Sequence, residues 1–357
     1  MSSSKYLATP LSTRHAKIGN TVWMRALKWV IGNAKCILLI HVTSTVIFAM
    51  YGAVSTSLDY GRCEEVSSAL ALLGFDGFVA IDRAEPEFNV LSRLYQQTND
   101  VRCVLVIGLG VAIVDYQLGT GGAHAFWSCL EKTLERHGFR ISDLDDAYKI
   151  LLEFMECRVN ARLRRSKIER IKRFFNSGYA NFLWSEGYKF FSGNPMTLWK
   201  KLAYCMNNPM DYKTIAFAMK VLDLISLISN GHYAEFPIDP PIPVDDHVAR
   251  MSIYSGIIHV EKLLKTPEEV KEAASKISKN LIIRAWGTIA EKTSAKIGKS
   301  ISVLRVDSLV WQLSKVASTV KYRKNAAVKA IQLYLVEIGI NAEAALKIAE
   351  EMSYSMH

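Results

Sequence analysis

Apolar residues recur at helical spacing along most of this chain. The pattern covers 64–75, 90–96, 126–136, 144–157, 197–205 and 213–229, then 246–264, 267–295, 303–318 and 323–350. Strict apolar–polar alternation, the mark of a half-buried strand, is scarce. Turn residues punctuate the helical runs at Gly119-Thr-Gly-Gly122, Asn176-Ser-Gly178, Ser192-Gly-Asn-Pro195, Asn207-Asn-Pro209 and a proline cluster over 237–243. No internal repeat or low-complexity tract is visible, and the pattern predicts an all-α fold. One run imitates something else: Val104-Leu-Val-Ile-Gly-Leu-Gly-Val-Ala-Ile113 looks like a strand entering a GxG phosphate loop. The third glycine is missing and no strand–helix alternation follows, so it reads as a packed helix whose glycines allow close approach.

Charge changes the picture mainly at one end. Residues 1–58 hold six basic residues and no acid, so the net +10 of the chain leaves 38 basic against 34 acidic residues in the remainder. The body is only mildly basic, and any nucleic-acid argument rests on where its charges sit. Within the leader, Cys36–Val54 carries no charge when His41 is neutral, a length that just spans a bilayer. Three readings compete for it: a membrane anchor with a cytoplasmic N-terminus, a buried or interfacial helix, or an upstream stretch preceding a true start at Met50. The six cysteines (36, 63, 103, 129, 157 and 205) form no CxxC pair. A metal site needs clustered ligands, so no metal is expected, and reduced thiols are the default.

Several residues carry candidate chemistry. Lys213, Phe217 and Lys220 are spaced i, i+4 and i+7 on an apolar helical run and share one face. They read either as surface lysines beside a core phenylalanine or as one wall of a pocket, where an amine in an apolar setting becomes a nucleophile. Downstream, Pro240-Pro-Ile-Pro243 is stiff because proline fixes its own φ and restricts its predecessor, and Asp245 or Asp246 then starts a helix. An aspartate there serves as an N-cap, which keeps a carboxylate ionised and fixed without excluding catalysis. Trp127 after the glycine turn, and Asp307 with Trp311 at i, i+4, read as core aromatics or as platforms for an extruded base. The densest basic stretch runs from Arg158 to Arg173, with eight cations and one acid in sixteen residues. Arg158, Arg162 and Arg165 would line one helical face, continued by Lys172, and point to phosphate contact.

From about residue 62 to 325 the chain resembles the archaeal 8-oxoguanine DNA glycosylase/AP lyases (AGOG) of the helix-hairpin-helix superfamily. The resemblance rests on Lys213-Thr214 before an apolar helix, Ile242-Pro-Val-Asp245 and Val248-Ala-Arg250, with thirty-two residues from lysine to aspartate. Tyr116 with the glycine turn and Trp127, the segment Ala161–Lys167, and Asp307-Ser-Leu-Val-Trp311 extend it. It implies two α-helical subdomains with the active site in the cleft between them. The expected organisation is a leader over 1–58, a glycosylase/lyase domain over 59–325 and a helical extension over 326–357. Within the domain, 59–135 plus 246–325 would form one subdomain and 136–245 the other. Lys213 would attack C1′ of the damaged nucleotide, with Asp245 supporting the oxocarbenium-like transition state. Phe217 and Trp311 would sandwich the flipped base, while Trp127, Lys220 and Asp307 complete the pocket.

Two departures stand out. The family usually places glutamine where this chain has Glu87, in Glu85-Pro-Glu-Phe88. A carboxylate accepts but does not donate, so it would take an N7–H yet repel a base carbonyl when ionised. The hairpin Met206–Asp211 lacks the glycine-rich form common in the wider superfamily. The expectation is a monomeric, cofactor-free enzyme acting on damaged DNA, cytoplasmic and nucleoid-associated, or membrane-anchored through 36–54. Its rival is a membrane-anchored, non-catalytic helical protein that binds nucleic acid or a partner.

Overall fold

The computed structural model describes residues 55–236 and 239–357. The apolar run 36–54 lies outside the described residues, and with it the anchor and start-site readings. Among the described residues there are sixteen α-helices and one two-stranded antiparallel sheet, so the all-α expectation holds. No described helix is long and apolar enough to cross a membrane.

The first half runs α1 (Tyr60–Ala71), α2 (Gly74–Arg83), α3 (Pro86–Thr98), α4 (Val101–Ala112), α5 (Gly122–Arg136) and α6 (Leu144–Met155). It continues with α7 (Arg164–Asn176), α8 (Tyr179–Ser185), α9 (Pro195–Met206) and α10 (Lys213–Asn230). The second half holds α11 (Asp246–Tyr254), α12 (Pro267–Lys276), α13 (Lys279–Ile297), α14 (Val303–Thr319), α15 (Lys324–Glu337) and α16 (Ala342–Met352). Local chemistry sets the starts. Asp59, Asp100, Asp143 and Asp245 each accept a backbone N–H at a helix N-terminus, Thr266 and Glu269 form a capping box, and proline opens α3, α9 and α12.

The buried apolar residues fall into two cores. The first gathers residues from Val90 to Ala234, with Leu304 added and α4 and α10 at its centre. The GxG run sits in α4 as a packed helix. A Cβ on Gly108 would meet the Ile225 side chain at 2.9 Å, and one on Gly110 would meet Leu151 at 2.7 Å, so the glycines serve helix–helix approach. The second core joins Cys63–Ile81 to Ile242–Met356, and α15 and α16 bury Ala327, Ile331, Leu335, Ala345, Ile348 and Met352 within it.

Several sequence expectations need correction. The helix expected over 246–264 ends at Tyr254; Gly256 turns the chain at φ +76°, and Ile258–Val260 pairs antiparallel with Thr56–Leu58. The β-branched run there suits a strand better than its helical period suggested. The helix expected over 267–295 breaks at extended Ile277, and the one over 323–350 at Gly339 with φ +94°. The basic stretch is not one helix face either. A short 3-10 turn spans Arg158–Asn160, Leu163 takes φ +55°, and α7 begins at Arg164. Arg158 and Arg162 therefore precede the helix that carries Arg165. Finally, Cys129 on α5 and Cys157 form a disulfide, while Cys63, Cys103 and Cys205 are free. The expectation of reduced thiols rested on the default for a cytosolic protein, and the fold brings these two sulfurs together across 28 residues.

Candidate active site

Asp245 shows how the local sequence builds the mouth of the site. The preceding prolines hold an extended backbone, and Asp245 keeps it at φ −133° and ψ −174°. Its Oδ1 accepts from the backbone N–H of His247 at 2.8 Å and of Val248 at 3.0 Å, as an N-cap does. The other oxygen, Oδ2, lies 3.6 Å from Lys213 Nζ, the first residue of α10. One carboxylate thus fixes its own position with one oxygen and presents the other to an amine. Lys213 remains 41% exposed, so this pair stands at an opening.

The pocket beneath is lined by Phe217 and Lys220 from α10, Asp307 and Trp311 from α14, and Glu87 from α3. Its two sides come from the two cores, so it occupies the cleft between them. Trp311 is half-buried and flanked by polar groups: the His247 ring lies 6.0 Å away, the His124 ring 6.3 Å, and Lys315 Nζ 4.9 Å from its centroid. Phe217 has Lys220 Nζ 5.7 Å from its ring.

The floor is a buried charge cluster. Lys220 is 3% exposed and reaches Glu85 at 2.8 Å, Asp307 at 3.2 Å and Glu87 at 3.6 Å. Burial opposes its charge, but Glu85, Asp307 and Glu87 hold it protonated well above the usual lysine range. Three carboxyls against one ammonium leave an excess of negative charge in a low dielectric. Burial, reinforced by neighbouring Glu87, pushes Glu85 up to about 8. Burial also pushes Asp307 up to about 7, with Lys220 pulling the other way. The floor therefore retains a proton near neutrality, shared by the group as a whole.

Seven of the expected residues meet in this pocket: Lys213, Asp245, Glu87, Phe217, Lys220, Asp307 and Trp311. Trp127 does not line it. It is fully buried in the first core, its indole N–H without a hydrogen-bond partner among the described residues, and it bears on the half-buried Asp115 that does line the pocket. Burial raises Asp115 to about 6 against the pull of Lys213, Lys167 and Lys220. The DNA-contact candidates divide as well. Arg158, Arg162 and Arg165 are exposed and carry no ion pair among the described residues. Arg170 and Arg173 instead brace the hairpin before α10. Arg170 donates to Asn208 at 3.2 Å and Thr214 at 2.8 Å, and Arg173 donates to the Met206 carbonyl at 3.2 Å.

Sequence reasoning missed Asp115, Ala123 and Pro243 in the lining, and Glu85 beneath it. A usable signal existed only for Glu85. Two acids flanking a proline at a helix start place both carboxyls near one end of α3.

A family model for AGOG, described as N-glycosylase/DNA lyase, matches residues 67–347. The N-glycosylase/DNA lyase of Thermococcus kodakarensis is 24% identical over 254 residues, covering 70% of this chain and 83% of that one. That of Pyrobaculum aerophilum is 24% identical over 253 residues, covering 70% and 85%. Among solved structures, the 8-oxoguanosine-complexed 8-oxoguanine DNA glycosylase of Pyrobaculum aerophilum superposes with a TM-score of 0.57 at 17% identity. The match covers 78% of this chain and 96% of that one, and it bears on the fold.

Proposed function

The chain belongs to the AGOG family of N-glycosylase/DNA lyases, and on that premise we propose that it excises 8-oxoguanine from DNA with Lys213 and Asp245 at the reacting carbon. The amine of Lys213 attacks C1′ of the extruded nucleotide as the bond from C1′ to the base nitrogen breaks, and the base departs with that electron pair. Positive charge builds on the sugar in this step. The free oxygen of Asp245, held in place by its cap, opposes that charge without reorganising. Once the amine has lost its proton and the sugar ring has opened, C1′ and Lys213 form an imine. The imine acidifies the C2′ proton, and its loss expels the 3′ phosphate, which cuts the strand.

The observation that carries this reading is the 3.6 Å approach of Lys213 Nζ to Asp245 Oδ2 at the mouth of a pocket holding two aromatic rings. Phe217 and Trp311 take the two faces of the base, and Lys220, Asp307 and Glu87 read its edge. An acceptor at Glu87 suits the N7–H that 8-oxoguanine has and guanine lacks. Arg158, Arg162 and Arg165 contact phosphates. The test is incubation with a duplex carrying a single 8-oxoguanine, reading released base and cut strand separately. Release of the base with strand scission is expected. Intact DNA with folded protein would contradict the assignment, and base release without scission would remove the lyase step.

A further inference from the structure

A second cleft lies beyond the base pocket, and two helices lead to it. On α11, His247, Arg250 and Tyr254 follow one another at i, i+3 and i+7; on α14, Trp311, Lys315 and Ser318 do the same at i, i+4 and i+7. Each row begins at the base pocket, where His247 faces Trp311, and ends at the cleft, which Arg250, Tyr254 and Ser318 line.

The cleft is strongly basic. Arg250, Lys265, Lys271, Lys321 and Arg323 line it against Glu268 and the terminal carboxylate of His357, and none of the five cations is ion-paired among the described residues. The first turn of α12 opens on it through Pro267 and Glu268, adding the positive end of a helix dipole. Its wall is ordered: Tyr254 stacks on Tyr322 at 4.7 Å and 21°, and Arg250 lies 5.2 Å from the Tyr322 ring. Tyr254 is 1% exposed, yet its hydroxyl has no hydrogen-bond partner among the described residues. A buried, unpartnered hydroxyl beside unpaired cations suits an anion with oxygen acceptors. A contact chain joins this wall to the base pocket. Tyr322 Oη is 3.2 Å from Ser314 Oγ, which is 3.0 Å from His247 Nδ1, whose ring faces Trp311.

We infer that this cleft binds the backbone phosphates of the substrate strand beyond the extruded base. The inference rests on the DNA-processing reading above and adds a subsite to it. Seven residues of helix span about 10 Å, and duplex DNA rises about 3.4 Å per step on each strand. The cleft therefore meets the backbone roughly three base pairs from the lesion. The cations supply counterion release and the Tyr254 hydroxyl supplies a neutral donor.

The test compares wild type with Lys321→Gln/Arg323→Gln and with Tyr254→Phe, all matched for thermal midpoint. Binding is measured against salt on a duplex extending eight pairs either side of 8-oxoguanine, and on duplexes trimmed to two pairs on one side or the other. The double variant should flatten the plot of log Kd against log salt by about one unit per cation removed. It should bind the long duplex roughly three- to tenfold more weakly near 0.1 M salt. On one of the trimmed duplexes it should match wild type. Tyr254→Phe should weaken the long duplex without changing the slope, because a neutral donor releases no counterion. An unchanged slope in the double variant, or equal loss on both trimmed duplexes, would overturn the subsite. Wild type that binds with the predicted slope but releases no base would instead overturn the excision reading.

Discussion

Lys213 and Lys220 stand two turns apart on one face of α10, and they live in opposite surroundings. Lys213 sits at an opening, 41% exposed, with the Asp245 carboxylate at 3.6 Å. Lys220 is 3% exposed at the floor, with three carboxyls within 3.6 Å. The same side chain on the same helix thus meets two kinds of work. An amine that must attack a sugar carbon needs access. An amine bound by Glu85, Asp307 and Glu87 is fixed as a cation that positions whatever enters above it. Placement against neighbours is why we propose Lys213 as the nucleophile, since helical spacing alone left either lysine eligible.

The sharpest way to break this comparison is at the floor. Lys220→Met leaves three buried carboxyls without their counterion, and should lower stability by about 3–5 kcal/mol in a denaturant melt. A variant as stable as wild type would show that the cluster does not depend on its cation. At the mouth, Asp245→Asn keeps a competent N-cap and removes the charge. Single-turnover base release should fall by about 10²–10³-fold while stability changes by less than about 1 kcal/mol. Equal losses of rate and stability would make Asp245 a cap and nothing more.

The aromatic walls should matter less. Phe217→Ala or Trp311→Ala should weaken binding of the damaged base by about 1–3 kcal/mol, measured against an undamaged duplex of the same sequence. Unchanged discrimination in both variants would place the base elsewhere. The smallest effect concerns pH. Glu85 at about 8 and Asp307 at about 7 stand above the ordinary carboxyl range of about 4. The folded protein then holds protons the unfolded chain has lost, so this contribution is complete below about pH 4 and disappears as pH rises through 7 to 8. The thermal midpoint should therefore fall between pH 5 and 9, and more steeply in wild type than in Glu85→Gln. A midpoint that rises over this range would contradict the shared proton.

What was legible in the sequence was what local geometry determines. The i, i+4, i+7 face of Lys213, Phe217 and Lys220, the capping aspartate after a proline run, and the GxG run as a packed helix all follow from spacing and backbone preference. The remainder depends on contacts between distant segments. Glu85 reaches Lys220 across 135 residues, and no periodicity in either segment announces it. The depth of Trp127 depends on how α5 packs against α3 and α6, and Asp115 follows α4 with no periodicity to mark it. The strand at Ile258–Val260 exists because Thr56–Leu58 offers it an edge, and its apolar residues also fit a helical period. The break at Leu163 splits one supposed basic face, leaving Arg158 and Arg162 before the helix and, within it, exposed Arg165 beside the bracing Arg170 and Arg173.

The central claim is that Lys213, rather than its neighbour on the same face, forms the covalent bond. The most direct test is borohydride reduction of the protein on an 8-oxoguanine duplex, followed by proteolysis and mass mapping of the cross-linked peptide. The adduct should lie on Lys213, and Lys213→Ala should give none. An adduct mapped to Lys220 or to any other lysine, or one that survives Lys213→Ala, would contradict the account.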